Sequence, residues 1–261
     1  MTPLGLRVCP GTVDGRFCAA AGQTGPVTGR IQDAVAARVP GAAALGLLVP
    51  PSVPLVPGER LADPAWTAEV LAARAVGGRA TDTRVLATVW WYSVSTVLLT
   101  PPLAGLATGV PLSGRLDGTR VALLAGGRPV GALAGPGGPD LAGELRESLA
   151  AVIAAVARCG RMRERPLWAV ATDSLANVLL TLGRALGDVP AATSLAGPLA
   201  AAVGPPLPAP RYTDVSGVRF ARRVSCCEVD RLPHGSTCIS CPRRPPTERQ
   251  VLLEDAARRF G

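Results

Sequence analysis

Four cysteines lie close together near the C-terminal end of this 261-residue chain. Cys226 and Cys227 are adjacent, and Cys238 and Cys241 form a C-x-x-C pair further on, so that all four fall within sixteen positions. A proline and a glycine between the two pairs favour a tight turn. Thiolates are soft ligands, and four of them in one loop can collect a metal. The spacing therefore predicts a metal site in this loop.

Three kinds of site are compatible with four thiols at this spacing: a disulfide pair, a structural zinc ion and a two-iron cluster. Adjacent cysteines rarely bond to each other, and disulfides are rare in a reducing compartment. A zinc site has the right ligand number, but it usually takes two C-x-x-C halves that are further apart. A two-iron cluster needs two thiolates at each iron, so it fits best. We expect Cys238 and Cys241 at one iron, and Cys226 and Cys227 at the other.

Charged residues around the loop are further candidates. His234 is the only histidine of the chain, and it is a candidate metal ligand, a hydrogen-bond donor to a cluster sulfur or an exposed turn residue. Three arginines are candidates for contact with the metal-binding cysteines or with a substrate: Arg222, Arg223 and Arg231. With Arg243 and Arg244 they can compensate the negative charge of four thiolates.

Composition restricts the class of partner. The chain has a formal charge of +8, and all of its basic side chains other than His234 are arginines. These arginines are scattered, and aromatic residues make up only 3% of the sequence. Dense basic blocks and stacking aromatic side chains are typical of nucleic-acid binding, so we do not expect a nucleic-acid partner.

The N-terminal residues predict a cytoplasmic protein. Met1–Leu6 contain no basic flank that leads into an apolar run, so no secretory signal is expected. In a reducing cytosol, thiols and metal ligands are more common than disulfides. The isolated residues Cys9, Cys18 and Cys159 are interpreted as small, buried side chains.

Helical signals dominate the chain. Asp63 before Pro64 marks the start of a helix that runs to Gly78. Asp82 can cap a second helix, which we expect to be buried on most sides and to stop at Pro101-Pro102. Such a helix has about 16 residues, whereas about 20 are needed to cross a membrane, so no transmembrane segment is predicted. Further helices are predicted from Pro139 to Cys159, from Pro166 onward and from Thr247 to Phe260.

Strands are predicted in two places, and together with the helices they define an α+β fold. Residues 119–134 contain two apolar runs around a glycine pair, which is typical of a β-hairpin. Val218–Val224 is expected to be a strand that leads into the cysteine loop. Asp173 and Asn177 are interpreted as solvated positions on a helix surface that could contact a ligand. We expect a mainly helical domain with a small antiparallel sheet over residues 1–205, with an extended lead-in at 1–62, followed by a small C-terminal metal-binding region at 206–261.

The cysteine pattern resembles that of a known family. The order Cys-Cys, ten residues, Cys, two residues, Cys-Pro, carried by Cys226 to Pro242, is similar to that of the ferric-siderophore reductases related to the ferrioxamine reductase FhuF. The specific likeness covers about residues 220–245. It implies a [2Fe-2S] cluster on Cys226, Cys227, Cys238 and Cys241, a siderophore-binding domain before it, and one-electron reduction of siderophore-bound iron(III) in the cytosol.

The chain has no sequence motif for a hydride cofactor. It contains neither a G-x-G-x-x-G after a predicted strand nor a P-loop, so an external one-electron donor such as a ferredoxin or a flavoprotein is expected. Two other functions remain compatible with the sequence. One is a non-enzymatic iron–sulfur redox sensor or electron carrier. The other is a zinc-stabilised binding protein of a siderophore pathway.

Overall fold

The computed structural model describes residues 27–78, 82–233 and 235–260. The predictions for the N-terminal segment, Cys9, Cys18 and His234 therefore lie outside the described residues. The fold is α+β and mainly helical, as predicted. Its helices are α1 (Val27–Ala36), α2 (Pro64–Gly78), α3 (Thr83–Thr108), α4 (Leu141–Cys159), α5 (Glu164–Leu186), α6 (Val189–Ser194), α7 (Ala196–Val203) and α8 (Pro246–Phe260). Its strands are β1 (Leu55–Pro57), β2 (Thr119–Leu124), β3 (Arg128–Ala134), β4 (Tyr212–Val215) and β5 (Val218–Ala221).

The long helices α3 and α5 pack against each other through the core. Trp90 and Trp91 of α3 are fully buried, and the indole N–H of Trp91 donates to the carbonyl of Leu167 at 2.8 Å. Ser95 and Ser174 share a buried hydrogen bond of 2.7 Å between their hydroxyl oxygens. The prediction of a central helix that is buried on most sides is confirmed, because apolar and hydroxyl side chains of α3 are buried along most of its length.

The prediction that this helix stops at Pro101-Pro102 is wrong, because α3 runs through both prolines to Thr108. A proline inside a helix removes one N–H donor and crowds the carbonyl of the preceding turn. Both prolines and residues 103–105 are buried, so tertiary packing outweighs this local cost and keeps the last turns helical. Although α3 is longer than expected, no helix within the described ranges is both long and apolar enough to cross a bilayer.

A three-stranded antiparallel sheet covers one side of the helices. The predicted hairpin is confirmed as β2 and β3, and β1 adds a third strand, with Leu55 opposite Ala122. The segment before residue 63 is not simply extended, because α1 is a helix. Gln32 of α1 is fully buried. Its amide nitrogen donates to two backbone carbonyls and its oxygen accepts from the N–H of Ala134 at 2.7 Å, so one side chain joins α1, the following turn and β3.

The helices α2, α4, α5 and α8 occur where the sequence predicts helices, within a few residues. Asp63 and Asp140 accept hydrogen bonds from backbone N–H groups in the first turns of α2 and α4, which is how an N-cap works. The helix predicted from Pro166 begins at Glu164, because a proline fits the first turn of a helix. The caps and the apolar spacing together fixed these elements locally.

A second antiparallel hairpin, β4–β5, carries the chain from α7 to the cysteines. The predicted strand Val218–Val224 is confirmed only over Val218–Ala221. Val215 and Phe220 of the hairpin pack with Leu253 and Ala257 of α8. The Tyr212 hydroxyl donates to the carbonyl of Ala176 in α5 at 3.1 Å. The cysteine loop, residues 222–245, is thus attached between α5 and α8.

Replacing Gln32 by Ala tests the role of this buried amide. The change leaves the carbonyls of Leu47 and Ala132 and the N–H of Ala134 without their partner, and each unpaired buried group costs about 1–3 kcal/mol. We expect a loss of about 2–4 kcal/mol in the free energy of unfolding, measured by chemical denaturation. Gln250→Ala, which removes an exposed amide that bonds to Glu254, serves as the control. Equal stability of the two variants would contradict this role.

Candidate metal centre

The cysteine loop places Cys226 beside a cysteine of the C-x-x-C motif. The sulfurs of Cys226 and Cys241 lie 3.8 Å apart. Cys227 and Cys238 share a partner, because Nη1 of Arg223 lies 3.5 Å from the sulfur of each. We call Cys226 with Cys241 the first pair, and Cys227 with Cys238, which share this arginine, the second pair.

The separation in the first pair matches that of two ligands on one metal. Thiolates about 2.3 Å from a tetrahedral metal lie about 3.8 Å from each other, which is the distance between the sulfurs of Cys226 and Cys241. No three His, Cys, Asp or Glu side chains within the described ranges are placed to hold one ion together. A two-iron cluster takes two protein ligands at each iron, and the four thiols of the loop have the number and the chemistry of such a donor set.

Two sharp backbone turns shape the loop. Glu228, directly after the adjacent cysteines, has a left-handed conformation with φ 59°, and its N–H donates to the sulfur of Cys226 at 3.4 Å. At Gly235, a Cβ atom would lie 1.9 Å from the carbonyl oxygen of Val229. No side chain fits at this distance, so the glycine lets the chain fold back on itself. These turns bring the C-x-x-C segment back to the adjacent cysteines.

The surroundings of the thiols change their acidity in different directions. Burial raises the pKa of Cys226 and of Cys238. Burial acts in the same direction on Cys241, but hydrogen bonds from the backbone and the side chain of Arg243, together with the contact to Cys226, lower the pKa of Cys241 overall. Metals bind the thiolate form, so metal binding releases the protons that the thiols carry. Cys241 is thus the thiol that this environment favours as an anion.

A buried ion pair fixes the loop to the helical core. Asp173 of α5 is 2% exposed, and Arg223 is 8% exposed. The Asp173 carboxylate accepts from the N–H groups of Val224 and Ser225 at 2.8 and 3.0 Å, and from the Ser225 hydroxyl at 2.6 Å. Nε of Arg223 lies 3.4 Å from the same carboxylate. The residues just before Cys226 are therefore held by a single side chain of α5.

The interpretation of Asp173 as a solvated surface residue is wrong. Asn177, one turn later, is half-buried, and its amide donates to the backbone carbonyl of Asp173 at 2.8 Å. A signal was present in the sequence, because Asp173 is the only charged residue between Pro166 and Arg184. A single carboxylate in an otherwise uncharged helix indicates a buried partner. The sequence did not show that this partner lies 50 residues further along the chain.

The arginines near the loop have different environments. Arg223 is buried, whereas Arg222 and Arg231 are exposed. Arg243 pairs with Asp230, and Arg244 pairs with Glu248. The Arg244 guanidinium also donates to the carbonyls of Thr237 and Cys238, at 2.7 and 3.0 Å. Of the predicted arginines, Arg223 and Arg243 therefore contact the thiols. Arg222 and Arg231 are exposed, and Nη1 of Arg231 lies 3.9 Å from the Glu228 carboxylate.

Each cysteine pair has an inner and an outer member. Cys227 and Cys241 are buried, whereas Cys226 and Cys238 are half-buried. Two apolar side chains near the outer cysteines are exposed, Val224 at 37% and Ile239 at 38%. A cavity of 210 Å³ lies beside the loop and is lined by Arg222, Arg223, Ser240, Pro242, Arg249 and neighbouring residues of β4, β5 and α8. The loop thus presents an apolar and basic surface on its outer side.

A cysteine series tests the assignment of the ligands. Replacing any one of Cys226, Cys227, Cys238 or Cys241 by Ser removes a soft ligand, so we expect loss of most of the bound metal and of the visible absorption that a thiolate–metal centre produces. Cys159→Ser is the matched control, because Cys159 lies outside the cysteine loop. Its half-buried thiol donates a hydrogen bond to the carbonyl of Pro64. The variants are purified without oxygen and analysed for metal and sulfide.

Cys9→Ser and Cys18→Ser extend the control set of this series. Metal loss in any of the three control variants, or full metal content in one of the four loop variants, would contradict the ligand assignment.

Mild oxidation of the metal-free protein tests the pairing of the sulfurs. The sulfurs of Cys226 and Cys241 are 3.8 Å apart, and a disulfide bond is about 2.05 Å long. Only a small movement is needed to join these two sulfurs, so we expect this pair to form the first disulfide. Peptide mass mapping after limited oxidation identifies the linked residues. A first disulfide between Cys238 and Cys241 would contradict this prediction, because it would show that the two sulfurs of the C-x-x-C motif are the ones that approach each other most easily.

The chain was also compared with known proteins. No family model matches the sequence, and no curated protein matches it. What this site does must therefore be inferred from its own residues and from their contacts.

Proposed function

We propose that this protein reduces siderophore-bound iron(III) by one electron in the cytoplasm, and that Cys226, Cys227, Cys238 and Cys241 hold a [2Fe-2S] cluster. The observation that carries the proposal is the gathering of four thiols in one loop, with a 3.8 Å separation between the sulfurs of Cys226 and Cys241 and with Nη1 of Arg223 at 3.5 Å from the sulfurs of Cys227 and Cys238. The spacing of the four cysteines, which resembles that of the ferric-siderophore reductases, supports the same function.

The spacing of the cysteines favours a two-metal cluster over a single zinc ion. Zinc sites usually take two C-x-x-C halves that are further apart, whereas this loop offers one adjacent pair and one C-x-x-C motif. The Arg223 guanidinium lies against the sulfurs of Cys227 and Cys238 and can offset part of the negative charge of four thiolates. The zinc-stabilised binding protein is therefore the less favoured function.

The proposed reaction needs an electron but no acid, base or nucleophile from the chain. When bound, a [2Fe-2S] cluster would supply single-electron transfer. An external donor of the ferredoxin or flavoprotein class gives up one electron, and the iron(III) of the substrate becomes iron(II). Hard oxygen chelators hold iron(II) less tightly than iron(III). One electron is therefore enough to loosen the metal from its chelator.

The residues of the loop surface have the character expected for contact with a metal chelate. The exposed guanidinium groups of Arg222 and Arg231 attract anionic partners, and the exposed side chains of Val224 and Ile239 offer apolar contact. The cavity of 210 Å³ beside the loop is smaller than the roughly 300–1,000 Å³ of typical small-molecule sites. We infer that the chelate binds on the open side of the loop, near the half-buried Cys226 and Cys238.

An assay of the reduced protein tests the proposed reaction. Protein purified without oxygen is analysed for iron and acid-labile sulfide, reduced chemically, and mixed with ferric siderophores in the presence of an iron(II) trap. We expect the visible spectrum of the oxidised protein to return together with one trapped iron(II) for each electron released. The Cys238→Ser protein, which lacks one ligand, is the matched control for reduction without a cluster.

The possible outcomes separate the proposed function from its alternatives. A colourless protein that contains zinc would exclude the cluster. A protein that contains iron and sulfide, but is reoxidised by ferric siderophores no faster than by buffer, would exclude the reductase and leave a redox sensor or electron carrier.

A further inference from the structure

The Arg223–Asp173 ion pair lies in the protein interior, where ionised groups are energetically unfavourable. The two side chains are 4% and 3% exposed, and removing an ion pair from water costs several kcal/mol per ion, so burial of such a pair is weak evidence for a role in stability. The Asp173 carboxylate is already surrounded by N–H and O–H donors from Val224 and Ser225. The carboxylate therefore has hydrogen-bond donors other than Arg223. Pairing with Asp173 alone does not explain why this arginine is buried beside the thiols.

The guanidinium of Arg223 is fixed on three sides and directed at the thiols. Asp173 holds Nε at 3.4 Å, and the ring of Tyr92 from α3 lies 4.9 Å from the guanidinium carbon. Nη1 lies 3.5 Å from the sulfurs of Cys227 and Cys238. Nη2 is buried and has no hydrogen-bond partner among the described residues. Arg223 thus places a positive charge against the predicted ligands Cys227 and Cys238, and the N–H groups of its Nη2 lack acceptors among the described residues.

We propose that Arg223 is a positioning residue that sets the reduction potential of the centre held by the four cysteines, and that Asp173 and Tyr92 hold it in place. This inference rests on the proposed cluster, but not on siderophores being the substrate. Reduction adds one negative charge to the centre. A fixed cation in a buried site interacts strongly with that charge, and hydrogen bonds to the sulfurs raise the potential of such centres. Arg223 therefore favours the reduced state.

The charge of Arg223 can be removed by Arg223→Gln and kept by Arg223→Lys. Midpoint potentials are measured without oxygen by titration with redox mediators. We expect Arg223→Gln to favour the oxidised state by about tenfold, which for one electron corresponds to a potential about 59 mV lower. Arg223→Lys keeps the charge, so its potential should lie nearer that of the original protein. Arg219→Gln, which breaks the more exposed pair between Arg219 of β5 and Asp214 of β4, is the matched control and should leave the potential unchanged.

Asp173→Asn separates an effect of charge from an effect on structure. Asp173→Asn takes away a negative charge that opposes reduction, whereas the amide oxygen of Asn can still accept a hydrogen bond from Nε of Arg223 and keep the guanidinium in place. We therefore expect the potential to rise, in the direction opposite to that of Arg223→Gln. A purely structural role predicts that both variants lower the free energy of unfolding and leave the potential where it was. That result would overturn the inference.

The variants also keep this inference separate from the proposed function. If Arg223→Gln does not retain the centre, the direction of the shift in Asp173→Asn decides, and an unchanged or lower potential counts against the inference. An original protein without iron and sulfide would instead remove the proposed cluster. A cluster-bearing original protein whose potential equals that of Arg223→Gln would remove only the role of Arg223.

Discussion

Asp173 carries a negative charge into the interior of the protein, where an ionised carboxylate is costly unless hydrogen bonds and an opposite charge surround it. The chain meets this requirement with the backbone and hydroxyl groups of Val224 and Ser225 and with the Arg223 guanidinium. All of these groups come from the segment directly before Cys226. Because these groups directly precede Cys226 in the chain, their contacts with the buried carboxylate constrain where the cysteine loop begins.

From this fixed start, the rest of the loop is placed by steric limits on the backbone. The left-handed turn at Glu228 and the absence of a side chain at Gly235 fold the segment back, and Arg244 ties the carbonyls of Thr237 and Cys238 to the start of α8 through its pair with Glu248. The result is a loop with an inner and an outer sulfur in each pair. An inner side that contacts the core and an outer side that contacts solvent would suit the proposed cluster, which must be bound by the loop and still be reached by an electron donor.

The helical core shows how burial overrides local preference. Two prolines should end α3, yet the helix continues because both lie in the packed interior next to other buried residues. Gln32 shows the same effect for a polar group, since a fully buried amide is acceptable where three backbone groups form hydrogen bonds with it. In both cases the decisive energy comes from residues distant in sequence. Prediction of secondary structure from neighbouring residues alone does not include that energy.

The sequence alone determined the elements whose causes are local: the capped helices, the β2–β3 hairpin with its glycine pair, the α+β class, and the set of four thiols in one loop. Caps, turns and apolar spacing act over a few residues, so their signals can be read directly. Only the tertiary structure decided which sulfur pairs with which, that Arg223 faces the thiols while Arg222 faces solvent, and that Asp173 is buried. These outcomes depend on contacts such as the one between Asp173 and Arg223, 50 residues apart in the chain, and packing in three dimensions selects such contacts.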